Sequence, residues 1–163
     1  MASKKPAQAD PDVKNIAVNR RASFDYELGA RYEAGVSLIG SEVKSLRVAA
    51  ANISEAWAAI RNGEAFVEGM RIPSLRHAAF GHTEKRTRKL LLHKREIDTL
   101  QSEIERKGMT IVVTRIYFRK GNVKLELAVA RAKKTHDKRE AIKDREAQRE
   151  ARAAIDRARR AHR

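Results

Sequence analysis

The last third of the chain cannot fold by burying apolar surface of its own. From Arg131 to Arg163 it holds thirteen lysine or arginine residues, whereas Ile142 and Ile155 are its only bulky apolar side chains. Regularly spaced alanines favour a helix, yet an alanine stripe buries too little area to offset the entropy of ordering the chain. We therefore predict a basic tail over residues 132–163 that is largely disordered in the free protein and becomes helical when docked.

The excess of positive charge indicates a polyanionic partner. The chain of 163 residues carries a formal net charge of +15, which RNA, DNA or an anionic membrane would neutralise. A membrane is the weakest of these, because no apolar run approaches the roughly 20 residues that a spanning helix needs. The chain lacks cysteine, and residues 1–12 lack the apolar segment of a signal peptide, so we expect a reducing, cytoplasmic location.

Ahead of the tail, apolar residues at every second position predict a set of short strands. Residues 1–13 are expected to form a disordered leader, because they contain two prolines and show no periodicity. Strands are predicted over residues 16–28, 32–38, 52–60, 65–70, 110–118 and 123–129. Gly29 marks a turn between the first two strands, whereas Asn62-Gly63 and Lys120-Gly121-Asn122 are typical of hairpin turns.

Two helices are predicted between these strands. Ser41 precedes Val43 and Leu46, which lie three residues apart, and this pattern favours a short helix N-capped by Ser41. The second helix is predicted to contain the leucines at 90–92 and to end at Gly108. Because so small a sheet would otherwise leave adhesive edges, residues 14–131 are expected to form a mainly β domain, an OB-fold-like antiparallel β-barrel of about six strands with two or three helices.

The aromatic residues are assigned by their strand positions. Those predicted to lie in the core are Trp57, Phe66, Tyr117 and Phe118. Phe24 and Tyr26 share a face by alternation, and that face is either the core or an RNA-binding surface.

Neither a metal site nor a catalytic centre is indicated by the sequence. The five histidines show no HxH or HExxH spacing, and thiolate ligands are missing. We therefore expect no metal, no cofactor and no enzymatic activity. A nuclease fits poorly because phosphodiester hydrolysis needs clustered carboxylates or a histidine pair. A ribosomal or ribosome-assembly protein is one interpretation that stays open, since such proteins also join a small barrel to a basic extension.

Six motifs, taken in order, connect the chain with one family. They are Asn19–Ala22, Tyr32–Gly35, Gly40–Arg47, Asn62–Phe66, Arg86–His93 and Lys133–Arg139. By these motifs the chain resembles the small protein B family (SmpB), the bacterial tmRNA-binding proteins of trans-translation, from about Ile16 to the C-terminus. The resemblance implies an adaptor whose barrel grips the tRNA-like domain of tmRNA and whose tail enters the empty mRNA channel of a stalled ribosome. It also implies delivery of alanyl-tmRNA with elongation factor Tu and contact with 16S rRNA at the decoding centre; we expect a monomer.

The same resemblance implies RNA contacts at particular residues. In the barrel these are Asn19, Arg20, Phe24, Tyr26, Glu33, Lys44, Arg47, Arg86, Arg88, Lys89, Leu91 and Lys124, with Lys133 and Lys134 at the junction with the tail. In the tail, the residues expected to contact the ribosome are His136, Asp137, Lys138, Arg139, Lys143, Arg145, Arg149 and Arg152.

Glu33 is the exceptional member of this set, because a carboxylate repels phosphate. It makes sense at an RNA surface as an acceptor for a base amino group or as a partner that orients an arginine. An ordinary surface carboxylate on a strand is the alternative interpretation.

Three positions depart from the family's pattern. Phe24 stands where many members have histidine, which keeps a ring for stacking but loses its N–H. Ala132 replaces a glycine at the junction and disfavours a positive φ there. Ala147 occupies a tail position where an aromatic residue is common, so stacking should be weaker there.

Overall fold

The computed structural model describes residues 12–76 and 81–161, in which seven strands and four helices are present. The strands are β1 Val13–Val18, β2 Tyr26–Val36, β3 Trp57–Arg61, β4 Glu64–Glu68, β5 Arg88–Leu91, β6 Thr110–Arg119 and β7 Asn122–Ala132. The helices are α1 Ala22–Asp25, α2 Gly40–Val48, α3 Lys94–Lys107 and α4 Thr135–Ala161. The side chains at 106, 135–137 and 160–161 lie outside the described part, as do residues 1–11 of the predicted leader.

The strands form one antiparallel sheet that closes on itself. Their order is β1-β6-β3-β4-β5-β2-β7, and β7 pairs in addition with β6. Six strands therefore complete a ring, while β1 lies beyond β3 along the same edge of β6. The prediction of a closed antiparallel barrel of about six strands is confirmed, with β1 as an additional strand. Closure removes the free edges of a small sheet.

The core fills the barrel and extends to one patch outside it. Inside, fully buried side chains from three strands pack together, among them Val67, Ile111 and Leu125. On the outside, Ala22 of α1 packs with a second small cluster that includes Val112. Strand β6 is therefore buried on both faces over part of its length, and α1 has a fixed position against the barrel wall.

The two hairpin turns predicted from the sequence are present in the structure. Asn62 and Gly63 have φ angles of 51° and 73°, and Lys120 and Gly121 have 49° and 78°. Positive φ at both central residues matches the right-handed twist of the two hairpins. Asn122, predicted to be part of the second turn, is instead the first residue of β7.

Gly29 does not turn the chain as predicted. β2 runs through it as a single strand of 11 residues, with a register shift against β7 between Leu28 and Arg31. A bulge breaks the apolar alternation in the same way as a turn does, which is why the sequence pattern suggested two strands.

The leucines at 90–92 do not belong to a helix, contrary to prediction. Leu90 and Leu91 are in β5, which pairs with β2 and β4, and α3 begins only at Lys94. The predicted end of that helix at Gly108 is confirmed, with a left-handed φ of 59°. Three consecutive apolar residues fit either a buried strand or a helix, so their periodicity could not distinguish the two.

The start of α2 also differs from prediction in its capping residue. The helix begins at Gly40, so Ser41 is already within it. The Glu42 carboxylate accepts the Ile39 N–H at 3.0 Å and satisfies a free donor of the first turn. The helix itself, with Leu46 buried, is as predicted.

The basic tail forms helix α4, a single helix of 27 residues. This conformation agrees with its helix propensity, while its disorder in the free protein stays a prediction. Most of its described side chains are exposed, including Ile155. Within residues 12–76 and 81–161, no helix is long and apolar enough to cross a membrane.

Candidate nucleic-acid interface

Four of the residues expected to contact RNA meet at one open cavity of about 740 Å³. Glu33 comes from β2, Lys89 and Leu91 from β5, and Lys124 from β7. The register places Gly35 of β2 opposite both Leu91 and Lys124, so the three strands bring these side chains together.

Gly35 allows Leu91 to lie across β2 at the edge of this cavity. A Cβ atom at Gly35 would stand 3.2 Å from the Leu91 Cβ. Leu91 is 57% exposed. A large apolar side chain held at the surface beside polar groups is suited to contact the face of an unstacked base.

The Glu33 carboxylate has two donors on one of its oxygens. The Tyr117 hydroxyl donates to Oε2, and Arg119 Nη1 donates to the same oxygen at 2.9 Å. The Tyr117 hydrogen bond, more than Arg119 and Lys124, lowers the pKa of the Glu33 carboxyl against the opposing effect of its partial burial. Glu33 is therefore charged near neutral pH.

The charges around the cavity are balanced rather than uniformly positive. Its lining contains three carboxylates (Glu33, Glu64 and Glu96) and three ammonium groups (Lys89, Lys94 and Lys124). Lys89 Nζ lies 2.5 Å from Glu64 Oε1, and Glu96 accepts the backbone N–H of His93 at 3.0 Å. Such a lining offers acceptors as well as donors, which suits a base edge better than a bare phosphate.

Sequence reasoning did not assign several residues of this site, among them His93, Lys94, Tyr117 and Arg119. Lys94 and His93 line the cavity from the start of α3. Tyr117 and Arg119 support Glu33 from β6. Because side chains alternate along a strand, the sequence could have placed Tyr117 and Arg119 on the same face of β6. Whether that face lies inside or outside the barrel depends on the tertiary structure.

Arg88, in contrast, is not available to RNA, which corrects the expectation from the sequence. Its side chain is 0% exposed and lies 2.7 Å from the equally buried Glu42 carboxylate. It also donates to the carbonyl oxygens of Met70 at 2.9 Å and Glu84 at 3.1 Å. Arg88 therefore has a structural role.

Arg86 shares the same buried carboxylate. Its Nε and Nη2 donate to Glu42 at 2.9 Å and 2.7 Å, and a third of its side chain is exposed. Burial opposes the charge on Glu42, but the hydrogen bonds from Arg86, Ile39 and Arg88 outweigh it and lower the pKa of the carboxyl. This network ties α2 to the segment that leads into β5.

Asn19 is likewise engaged within the protein. Its Oδ1 accepts the backbone N–H groups of Arg21 at 3.2 Å and Ala22 at 3.1 Å. Its Nδ2 donates to the carbonyl oxygens of Ile53 at 3.2 Å and Val113 at 3.1 Å. Asn19 thus satisfies two N–H groups at the start of α1 and fastens the helix to the barrel, while Arg20 beside it is exposed.

Phe24 and Tyr26 do not share a face, contrary to prediction, because Phe24 lies in α1 and only Tyr26 lies in β2. Tyr26 packs against the small outer cluster. Phe24 is half-buried, and the guanidinium of Arg145 from α4 lies 5.5 Å from the centre of its ring. A cation can rest on this ring without the N–H that a histidine would supply.

The junction between barrel and tail is held by α1. The backbone N–H of Lys133 donates to the Asp25 carbonyl at 3.0 Å, and its Nζ donates to the Ser23 carbonyl at 2.9 Å. Lys138 Nζ lies 3.4 Å from the Asp25 carboxylate. Ala132 is opposite Tyr26 in the β2–β7 ladder, so this position needs no positive φ.

The remaining cations lie on exposed surfaces. Lys44 and Arg47 are on the outer face of α2, and Lys134 follows β7. The exposed cations of α4 include Arg139, Lys143, Arg149 and Arg152. The side chains of His136 and Asp137 lie outside the described part. Among the side chains that are described, no group of three histidines or carboxylates could hold a metal ion.

The aromatic predictions are met in part. Tyr117 is buried and Phe66 and Phe118 are half-buried, whereas Trp57 is 41% exposed and so departs from the predicted core. Trp57 lines a small cavity of about 120 Å³ together with Asn19 and Tyr26.

The comparisons with known proteins agree with one another. The family model of the SmpB protein matches residues 16–157. An SsrA-binding protein of Sorangium cellulosum is 50% identical over 148 residues, covering 91% of each chain. One of Synechococcus sp. strain JA-3-3Ab is 49% identical over 143 residues, which cover 86% of this chain and 93% of the relative. A chain from a solved structure described as "tmRNA-SmpB: a journey to the center of the bacterial ribosome" is 39% identical with a TM-score of 0.65, covering 79% of this chain and 95% of that one.

Proposed function

Because the chain belongs to the SmpB family, we propose that it binds tmRNA and acts with it on the ribosome in trans-translation. The structural observation that carries the proposal is the cavity where Glu33, Lys89, Leu91 and Lys124 meet. The barrel offers there a preformed recess with an apolar side chain, a fixed carboxylate and lysines, the combination needed to receive an unstacked base next to a phosphate backbone.

In this proposal the barrel grips the tRNA-like domain of tmRNA. The cavity contributes selectivity, since hydrogen bonds to base edges carry sequence and shape information. Exposed cations such as Arg20, Lys44 and Arg47 contribute affinity through phosphate contacts and counterion release. Arg86 and Arg88 act indirectly, because their pairing with Glu42 holds the segment that presents Lys89 and Leu91.

The tail enters the empty mRNA channel of the stalled ribosome in this proposal. Its support is the exposure of the α4 cations and, among the described side chains of the helix, the absence of a buried bulky apolar residue. The protein is then a monomeric, non-enzymatic adaptor in the cytoplasm that joins alanyl-tmRNA and elongation factor Tu at the decoding centre. The contacts of Lys133 and Lys138 with α1 direct the helix as it leaves the barrel.

Truncation of the tail tests this division of labour. The structure sets the cut after Lys134, because β7 pairs through Ala132 and Lys133 is bonded to α1. The truncated protein should bind the tRNA-like domain with nearly unchanged affinity and fail to support peptide tagging on stalled ribosomes. Loss of both activities in a protein that still melts cooperatively would contradict the proposal.

RNA recovered with the full-length protein distinguishes the adaptor from a ribosomal or ribosome-assembly protein. Purification from lysate followed by sequencing should enrich tmRNA over ribosomal RNA when ribosomes have been dissociated beforehand. Enrichment of 16S or 23S rRNA alone would instead support the alternative.

A further inference from the structure

Tyr117 is buried and held in one orientation at the edge of the proposed RNA site. Only 3% of the residue is exposed, and the guanidinium of Arg115 lies 4.5 Å from the centre of its ring. Tyr117 pairs with Lys124 of β7, and its hydroxyl reaches past that strand to Glu33 on β2. A buried ring covered by a cation has little rotational freedom, so the hydroxyl is a fixed donor.

The two donors leave the other oxygen of Glu33 open. Tyr117 and Arg119 both donate to Oε2, and within the described part of the chain no hydrogen bond reaches Oε1. Glu33 also lines the cavity that Leu91 borders. One oxygen is therefore anchored while the other is available to a ligand.

The neighbouring carboxylate shows that this arrangement is specific to Glu33. Glu126 lies directly opposite Glu33 in the β2–β7 ladder. Its Oε1 accepts hydrogen bonds from Arg31 at 2.7 Å and Thr114 at 2.8 Å, and its Oε2 accepts one from Arg115 at 3.1 Å. Both oxygens of Glu126 are engaged, so Glu33 alone of this pair keeps an open acceptor.

We propose that Tyr117 is a positioning residue which fixes Glu33 so that its Oε1 accepts an amino or imino N–H of an unpaired nucleobase in the cavity. The inference rests on the proposed RNA-binding function and deepens it. A carboxylate oxygen repels phosphate and accepts only from N–H or O–H donors, and the Watson–Crick edge of every unpaired RNA base supplies an amino or imino N–H. Anchoring one oxygen avoids the entropy of ordering the side chain when RNA binds.

The test is Tyr117→Phe, which removes the hydroxyl and keeps the buried ring. Affinities are measured at one salt concentration for the tRNA-like domain of tmRNA and for a plain RNA duplex. The variant should bind the tRNA-like domain about 3- to 10-fold more weakly, as expected for losing the support of one charged hydrogen bond. Duplex affinity and the salt dependence of binding should stay as in the wild type, because no phosphate contact is lost.

A second readout and a matched control separate positioning from general damage. The pKa of the Glu33 carboxyl, followed by carbon-13 NMR, should rise in Tyr117→Phe. Tyr32→Phe, which removes a hydroxyl from a ring packed on the core of the same barrel, should change neither quantity. In Glu33→Gln the further change Tyr117→Phe should have no added effect on selectivity, since the two side chains act as one unit.

The outcomes separate this inference from the proposed function. A wild-type protein that does not prefer the tRNA-like domain overturns the proposed function and the role of Glu33 with it. A wild-type preference that Tyr117→Phe retains in full, or an equal loss on both RNAs, overturns the positioning role alone. Should Tyr117→Phe melt early, Arg119→Gln removes the other donor to Oε2 and must reduce the preference in the same way.

Discussion

Glu42 and Arg88 form an ion pair of 2.7 Å in which neither side chain is exposed, although 46 residues separate them in sequence. A buried charge is tolerated only when it is paired and its hydrogen-bonding groups are satisfied. The backbone N–H of Ile39 and the guanidinium of Arg86 complete the shell of Glu42. The pair joins α2 to β5 and so connects two parts of the proposed RNA surface.

Glu42→Gln should destabilise the fold strongly, because it leaves the buried guanidinium of Arg88 without its counter-charge. We expect a loss of about 3–5 kcal/mol in the free energy of unfolding, measured by urea denaturation. Glu64→Gln is the matched control, since its ion pair with Lys89 is half exposed and should contribute less than about 1 kcal/mol. Equal stabilities for the two variants would show that the buried ion pair contributes no more to stability than the exposed one.

The stability of the folded protein should also fall in acid, because protonation removes the negative charge of Glu42. Folding lowers the pKa values of Glu42 and Glu33, so the unfolded chain binds these protons more readily than the folded one. The stabilisation is complete above the ordinary glutamate pKa of about 4.3 and is lost as the pH falls through the lower, folded values. Urea midpoints measured between pH 7 and pH 3 should decline, and less steeply in Glu42→Gln. A midpoint that is constant over this range contradicts the prediction.

Asn19→Ala should loosen the attachment of the tail without abolishing the barrel. The substitution removes the acceptor of the Arg21 and Ala22 N–H groups and two bonds to barrel carbonyls, at a cost of about 1–3 kcal/mol. Amide exchange should accelerate in α1 and at Lys133, whose backbone N–H donates to the Asp25 carbonyl. Asn15→Ala, at an exposed position of β1, serves as the control. Unchanged exchange at Lys133 would show that Asn19 does not act on the junction with the tail.

Leu91→Ala should weaken RNA binding while leaving stability nearly unchanged. Its side chain is 57% exposed, so truncation creates no core cavity, but it removes the apolar surface proposed to contact a base. Affinity for the tRNA-like domain should fall about 3- to 30-fold, as expected for the loss of about 1–2 kcal/mol of apolar contact. Val48→Ala removes a side chain that is 72% exposed on α2 and should leave binding unchanged. Equal affinities for the two variants would exclude Leu91 from the interface.

Local patterns in the sequence were reliable where the structure is set by neighbouring residues. Both hairpins occur at their predicted turns, and Gly108 ends α3 where predicted. Predictions from the sequence pattern were wrong where the same pattern fits two structures. At Gly29, for example, a bulge and a turn would both interrupt the apolar alternation. The helix predicted at the leucines at 90–92 was wrong for the same reason, because a short apolar run has no distinctive period.

Alternation, turn residues and charge are local properties of the chain, and they were sufficient to predict a small closed barrel of antiparallel strands with a strongly basic tail. Which charged residues are available to a partner, in contrast, follows from the way the strands pack together. Along β5 the side chains alternate, so Arg88 and Leu90 point inward while Lys89 and Leu91 point outward. That direction depends on the register with β2 and β4 and on a carboxylate 46 residues away, and no local pattern encodes either of them.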